Sequence, residues 1–307
     1  MKQWSMRDGL TGAAWQWPAS GQMALILDGI AIDELPRRIY EWGEDQPDAQ
    51  WLYLGTPWES VKQASPWLVF PRSSQDPIVR HFLNEGAGKE WGYLLFSTAG
   101  REALTAHCRW LLQMVGPGEQ FQMMRMSHPV VIQALLPADT SPDATPWGPI
   151  EQLIVPDALA GKWQSGAPAA IDGAPPTADY SDWFRPDEAT WQRLDHSNRR
   201  LDARRLSRFV DANLPQWLPS ELGDGREQWF LQVMEEAISH GLEGFRSWCL
   251  YCQLLAQLQI GPNNPGSIPD AIEQALKSGG PGNKPIERAL EMTQAGDYGE
   301  GALHGTV

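Results

Sequence analysis

Residues 91–97 read WGYLLFS, and the predicted fold is centred on this run. Its interior, residues 92–96, contains only Gly, Tyr, Leu and Phe and no charged side chain. A short apolar run that lacks polar alternation is typical of a strand buried on both faces of a sheet. We therefore predict a central strand here. A helix follows to about Met114, with Ser97 or Thr98 as its N-terminal cap.

Further short apolar runs alternate with helix-like segments on both sides of this strand. The predicted strands are Met23–Leu27, Trp51–Leu54, Pro66–Phe70, Phe121–Met126 and Ile150–Val155. The predicted helices are Asp33–Trp42 with Asp33 as N-cap, a short one around Trp58–Gln63, Asp76–Asn84 and Pro129–Leu136. Strands separated by helices predict an α/β or α+β lobe over residues 1–160, with a mixed sheet flanked by helices.

The composition changes after this lobe. Residues 161–184 are rich in Ala, Gly, Pro and Asp without periodicity, which predicts a linker or a surface excursion. Residues 185–262 carry apolar stripes at helical spacing and predict an all-helical lobe. Residues 263–307 form a Gly/Pro-rich C-terminal segment in which we expect short helices.

Charge and cysteine content narrow the function classes. The chain has 307 residues, a formal net charge of −14 and three cysteines. Nucleic acid and anionic membrane would both repel so acidic a protein, and we expect neither as a partner. Three cysteines cannot build a disulfide framework in a chain of this size, and the N-terminus lacks a signal-peptide pattern. We therefore expect a cytoplasmic protein.

Catalytic and metal-binding patterns are weak. The six histidines are scattered singly, so we expect neither a metal nor a cofactor. Cys249 and Cys252 have redox-motif spacing but lie in a helical apolar stripe, which favours a structural role. Ser97 follows a strand without the neighbours of a nucleophile elbow. A hydrolase using Ser97 or a thiol enzyme using Cys249 remains the alternative class.

An arginine cluster interrupts the acidic sequence. It comprises Arg199, Arg200, Arg204, Arg205 and Arg208. One interpretation is an exposed helix face with acidic partners three or four residues away. The other is a docking stripe for an acidic partner, which the use of Arg rather than Lys favours slightly. The sequence leaves both interpretations open.

Tryptophan is unusually frequent, with 16 residues. Most border the predicted strands or lie on helical stripes, where packing explains them. Six lie in segments without periodicity: Trp4, Trp15, Trp17, Trp163, Trp183 and Trp217. Because Trp is enriched among interface anchors, these are candidate protein-binding residues, Trp163, Trp183 and Trp217 foremost.

Six motifs follow one another in the predicted N-terminal lobe. They are LILDGI (25–30), LYLGT (52–56), SPWLV (65–69), WGYLLFS (91–97), Arg125 with His128-Pro129, and Trp147-Gly148-Pro149. Over residues 23–155 this succession resembles the effector adaptor, or chaperone, family of the bacterial type VI secretion system. The family commonly has an Asp-Pro pair where this chain has His128-Pro129.

The resemblance implies a non-enzymatic protein. Members of this family bind a cognate toxic effector before secretion and help to load it on the spike, through a VgrG trimer or a PAAR-type tip. The resemblance also implies structural roles for motif residues, which are Asp28, Gly29, Tyr53, Gly55, Thr56, Pro66, Trp67, Gly92, Ser97, Arg125, Pro129, Gly148 and Pro149. The resemblance identifies no family motif in the helical lobe.

Overall fold

The structure is a computed structural model. It describes residues 17, 20–44, 47–136, 146–158, 162–168, 182–218, 225–278 and 282–296. The chain divides into two compact units, Met1–Ser197 and Asn198–Val307.

The first unit is built on a six-stranded sheet. The strands of this unit are β1 (Gln22–Leu27), β2 (Ala49–Trp51), β3 (Trp67–Val69), β4 (Gly92–Ser97), β5 (Gln113–Val115), β6 (Phe121–Met123), β7 (Gln152–Asp157) and β8 (Lys162–Gly166). The sheet has the order β2-β3-β1-β4-β7-β8, and each neighbouring pair is antiparallel. The predicted fold class is confirmed, and the antiparallel pairing makes this lobe the α+β variant.

The predicted central strand lies where expected. Strand β4 pairs with β1 on one side and β7 on the other, with Leu25 opposite Leu94 and Leu27 opposite Gly92. A Cβ atom on Gly92 would lie 1.8 Å from the carbonyl oxygen of Ile26. Only glycine therefore allows the two central strands to approach at this point.

The helices of the first unit are α1 (Leu35–Trp42), α2 (Pro77–His81), α3 (Arg101–Leu111) and α4 (Pro129–Leu135). Short helical turns cover Glu59–Ala64, Phe82–Gly86 and Ala87–Lys89. Two predicted N-caps are wrong. Glu34, not Asp33, precedes α1. Gly100, and not Ser97 or Thr98, precedes α3. The Ser97 hydroxyl instead accepts the N–H of Ala99 at 3.0 Å and so stabilises the turn before the helix.

The predicted helix to Met114 ends earlier. After Leu111 the chain enters β5, which pairs antiparallel with β6 to form a separate two-stranded sheet. The amide of Gly116 donates to the carbonyl of Gln120 at 3.0 Å and closes the connecting turn. Pairing with β6 thus overrides the helical pattern that the apolar spacing indicated.

The predicted linker begins with sheet structure. Residues 162–166 form β8, which pairs with β7 along five positions and places Trp163 opposite Pro156. The linker prediction is therefore wrong for residues 162–166. The run KWQSG contains one large apolar residue and no apolar alternation, so its sequence does not indicate an edge strand. Residues 169–181 of the predicted linker lie outside the described residues.

The second unit is helical, as predicted. Its helices are α5 (Glu188–Asn213), which begins in the first unit, α6 (Gly225–Ser239), α7 (Phe245–Gln257), α8 (Asp270–Lys277) and α9 (Lys284–Ala295). Side chains from all five helices share one core, and the α8 and α9 residues Ile272 and Ile286 are fully buried in it. Within the described ranges, no helix is both long and apolar enough to cross a membrane.

Candidate protein-docking site

Three of the sequence motifs meet in one place in the first unit. Asp28 follows β1, Tyr53 follows β2, and Arg125 lies two residues after β6. The Arg125 Nε donates to Asp28 Oδ2 at 2.8 Å, although 97 positions separate the two residues. Asp28 is 1% exposed and Arg125 is 31% exposed, so this ion pair reaches the surface only through the guanidinium.

The LILDGI motif is folded into a tight turn around Asp28. Its second carboxylate oxygen, Oδ1, accepts the backbone N–H groups of Ile30 at 2.8 Å and Ala31 at 3.2 Å. Side-chain acceptance of this kind stabilises a turn directly after a strand. A Cβ atom on Gly29 would lie 2.2 Å from the carbonyl oxygen of Ser65, so this motif packs against the start of SPWLV.

The LYLGT motif is held by the same neighbours. The backbone N–H of Tyr53 donates to Ser65 Oγ at 3.1 Å, and its hydroxyl contacts Met123 Sδ at 3.1 Å. Burial, and then the Asp28 carboxylate, raise the pKa of Tyr53 to about 12. The phenol therefore stays protonated. The Thr56 hydroxyl donates to the carbonyl of Tyr53 at 2.8 Å and closes the turn that follows.

Exposed or half-buried apolar side chains lie next to this cluster or on β6, and we name them together the β6 surface. Its residues are Ile30, Leu54, Phe121, Met123 and Trp183, with Arg125 among them. Phe121 is 64% exposed and its ring centroid lies 4.9 Å from that of the half-buried Trp183. Apolar side chains that are grouped at a surface mark interaction sites more often than isolated ones do, and Phe121 and Trp183 are in contact here. The β6 surface is therefore our candidate docking site.

The three candidate tryptophans differ in their surroundings. Trp163 is 2% exposed and packs edge-on against Phe82, so its predicted role as a partner anchor is wrong. Trp183 belongs to the β6 surface. Trp217 in the second unit donates from Nε1 to the carbonyl of Ile260 at 2.9 Å and packs against Trp229. Of the other three, Trp4 and Trp15 lie outside the described residues.

The arginine cluster on α5 is partly used inside the second unit. The Nε atoms of Arg200 and Arg204 each lie 2.5 Å from a carboxylate oxygen of Glu227 on α6. The Arg205 guanidinium lies 3.8 Å above the ring of Phe245. For these three arginines the contacts match neither interpretation from the sequence, because their partners lie on other helices of the second unit and not three or four residues away on α5. Arg199 and Arg208 are exposed, and whether they contact a partner stays a prediction.

The two candidate nucleophiles lack the surroundings of activated ones. Ser97 is fully buried, and its hydroxyl is engaged by the turn before α3. Burial raises the pKa of the Cys249 thiol, whereas a catalytic cysteine needs a lowered pKa. Within the described ranges, no group of three or more His, Cys, Asp or Glu side chains could hold a metal ion.

The remaining motif residues support the sheet and its edges. Pro66 and Trp67 are buried beside β2, and the Pro66 carbonyl accepts the N–H of Leu52 at 2.9 Å. Gly55 has a φ of +72°, which favours glycine. Pro129 is the first residue of α4, and the ring Nδ1 of His128 accepts the N–H of Val130 at 3.2 Å. This histidine thus caps the helix where the family commonly has aspartate.

The Trp147-Gly148-Pro149 motif wraps around a buried histidine. A Cβ atom on Gly148, whose φ is +48°, would lie 2.4 Å from the ring of His107. His107 Nε2 lies 2.8 Å from the carbonyl oxygen of Pro146, an arrangement in which the ring nitrogen donates. Burial lowers the pKa of His107 to about 4, so the ring is neutral at pH 7.

We expect this histidine to make the first unit acid-sensitive. The folded pKa of about 4 lies below the ordinary 6.5, so the unfolded state binds the extra proton first. The stabilisation is complete above pH 6.5 and is lost as the pH falls from 6.5 to about 4. From pH 7 to pH 5, urea titrations should show a loss of about 2 kcal/mol in unfolding free energy from this group.

The control for this prediction is a pair of glutamine variants. His107→Gln can still donate to Pro146 but cannot titrate, so its unfolding free energy should fall less steeply between pH 7 and pH 5. His196→Gln, at an exposed position on α5, should keep the wild-type slope. Equal slopes in all three proteins would contradict the assignment to His107.

Sequence reasoning missed most of the β6 surface. The sequence predicts a strand for Phe121 and Met123 and places Ile30 and Leu54 in motifs, but it marks none of the four as a site residue. The available signal was weak. Phe121 and Met123 are two positions apart, so a strand places them on the same face, but only the fold shows that this face is exposed.

Comparison with known proteins bears on this arrangement. Residues 25–145, which include Asp28, Tyr53 and Arg125, match the family described as "Domain of unknown function (DUF4123)". "Accessory protein VasW" of Vibrio cholerae serotype O1 (strain ATCC 39315 / El Tor Inaba N16961) is 24% identical over 282 residues. The match covers 88% of this chain and 87% of that protein. No solved structure matches the chain. The match over residues 25–145 and the similarity to this accessory protein agree with the resemblance that the six motifs indicate.

Proposed function

We propose that this protein is a non-enzymatic adaptor of type VI secretion. In the cytoplasm it binds one cognate secreted effector and helps to load that effector on a spike protein of the VgrG or PAAR type. The family match over residues 25–145 and the similarity to a type VI accessory protein support the adaptor role in general terms. The effector and the spike contact are the parts that we add.

The observation that carries the proposal is the β6 surface. Three motifs of the adaptor domain converge on it through the Asp28–Arg125 and Tyr53–Met123 contacts. The same convergence leaves Phe121 exposed against Trp183 at the surface. Aromatic and methionine side chains are enriched at protein interfaces, and a few such anchors supply most of the binding energy. A docking role accounts for their exposure, which a purely internal structural role does not.

The test is co-expression with the secreted protein encoded beside the spike genes in the source genome. We expect the two proteins to co-purify, and we expect secretion of the effector to stop when the adaptor gene is deleted. Secretion of effectors encoded elsewhere in the same genome should continue, which separates an adaptor from a component of the apparatus. If the neighbouring protein neither co-purifies nor depends on this chain, the proposal is wrong.

A further inference from the structure

We infer that the β6 surface binds an extended segment of its protein partner that carries an aspartate or glutamate beside apolar side chains. This inference rests on the proposed function and specifies the chemistry of the partner. It follows from two features of the surface, the free edge of β6 and the orientation of the Asp28–Arg125 pair.

Strand β6 offers an edge for a further strand. In the described part of the chain, its two-stranded sheet has only β5 as a neighbour. The other side of β5 is taken by the segment around Phe184, whose carbonyl accepts the N–H of Val115 at 2.9 Å. An extended segment that pairs with an edge strand presents alternate side chains to one face. Those side chains would meet Phe121 and Met123, which are themselves two positions apart.

The exposed charge at the end of this edge is positive. Arg125 uses its Nε to bind Asp28, and in the described residues no partner is recorded for its two terminal nitrogens. The carboxylate that balances it is 1% exposed, and Oδ1 of that carboxylate is engaged by two backbone N–H groups. A partner therefore meets the terminal N–H donors of a guanidinium, which fit a carboxylate fork.

Nearby acidic groups do not cancel this preference. Glu119, close to Phe121 in sequence, is bound by Arg185 at 3.0 Å, and the same guanidinium lies 3.8 Å from Asp182, which precedes Trp183. The net charge of −14 is spread over the whole chain, and charges beyond about 8 Å are screened at physiological ionic strength. Contact with Arg125 therefore determines which charge the surface prefers in a bound segment, and that charge is negative. The segment should carry apolar residues two positions apart, followed or preceded by a carboxylate at the Arg125 end.

A peptide selection tests this without knowledge of the natural partner. A phage library of random twelve-residue peptides is selected on the full chain and counter-selected on the Phe121→Ala variant. We expect the Phe121-dependent peptides to be enriched in Asp or Glu next to apolar residues two positions apart. If no Phe121-dependent peptide is recovered, or if those recovered lack carboxylates, the inference is overturned.

Two substitutions of opposite charge at one position then separate the effect of apolar contact on binding from the effect of charge. Met123 is exposed and close to Arg125 in sequence, so Met123→Glu places a competing carboxylate there and Met123→Lys places a cation. Both variants lose the same apolar side chain. We expect Met123→Glu to weaken binding of the selected peptides at least about tenfold more than Met123→Lys, with a smaller difference at high salt.

The outcomes distinguish this inference from the proposed function. Equal losses of peptide affinity for Met123→Glu and Met123→Lys would show that the bound segment needs no carboxylate. The β6 surface would then be a purely apolar docking site. The adaptor role itself stands or falls with co-purification and secretion of the neighbouring protein, which neither peptide experiment measures.

Discussion

Gly92→Ala is expected to destabilise the first unit by about 3 kcal/mol or more, the largest effect of any methyl addition that we predict. The added Cβ would lie 1.8 Å from the Ile26 carbonyl oxygen and 2.8 Å from its carbonyl carbon. Both atoms belong to the backbone of β1, at the centre of the six-stranded sheet. No rotamer change can relieve the contact, so β1 and β4 must separate or shift register.

The measurement is urea unfolding followed by circular dichroism, together with soluble yield. Gly100→Ala is the matched control, because a Cβ atom at Gly100 would meet nothing within 4 Å. That variant changes only the residue before α3 and should cost less than about 1 kcal/mol. An unfolding free energy for Gly92→Ala within 1 kcal/mol of wild type would contradict the register of β1 and β4.

The strands that the sequence predicts well are the buried ones. WGYLLFS and MALIL contain no charged residue, and burial on both faces leaves that trace in the sequence. Strand β8 left no such trace, because KWQSG buries mainly Trp163 at the edge of the sheet. The early end of α3 was also hidden, since Gln113–Val115 continue the apolar spacing of the helix while pairing with β6.

The candidate site was predictable only in part. The motifs that carry Asp28, Tyr53 and Arg125 can be recognised in the sequence, and the family resemblance that they indicate is confirmed. Their meeting point depends on long-range contacts, such as the 97 positions between Asp28 and Arg125. Exposure is likewise a property of the fold. Trp163 and Trp183 both lack periodic neighbours in the sequence, yet one is buried in the core and the other lies on the β6 surface.

The second large effect is expected at Phe121, on partner binding rather than on stability. The side chain is 64% exposed, so its removal creates no cavity and should change the unfolding free energy by less than about 0.5 kcal/mol. It also forms the ring contact with Trp183 at 4.9 Å, at one end of the β6 surface. Truncation of an aromatic interface anchor typically costs 2 kcal/mol or more of binding free energy, which is about thirtyfold in affinity.

The matched control is Tyr40→Ala on α1. Tyr40 is 62% exposed, similar in size to Phe121, and is not part of the β6 surface. Its truncation should leave binding unchanged, while any general effect of removing an exposed aromatic side chain would appear in both variants. Both variant proteins should have the circular dichroism spectrum of the wild type.

The most direct test of the β6 surface is the dissociation constant of the co-purifying effector. It is measured by calorimetry at one salt concentration for the wild type, Phe121→Ala and Tyr40→Ala. We expect the affinity to fall about thirtyfold or more for Phe121→Ala and less than about twofold for Tyr40→Ala. Equal affinities for Phe121→Ala and wild type would contradict the claim that the first unit binds a protein partner through the β6 surface.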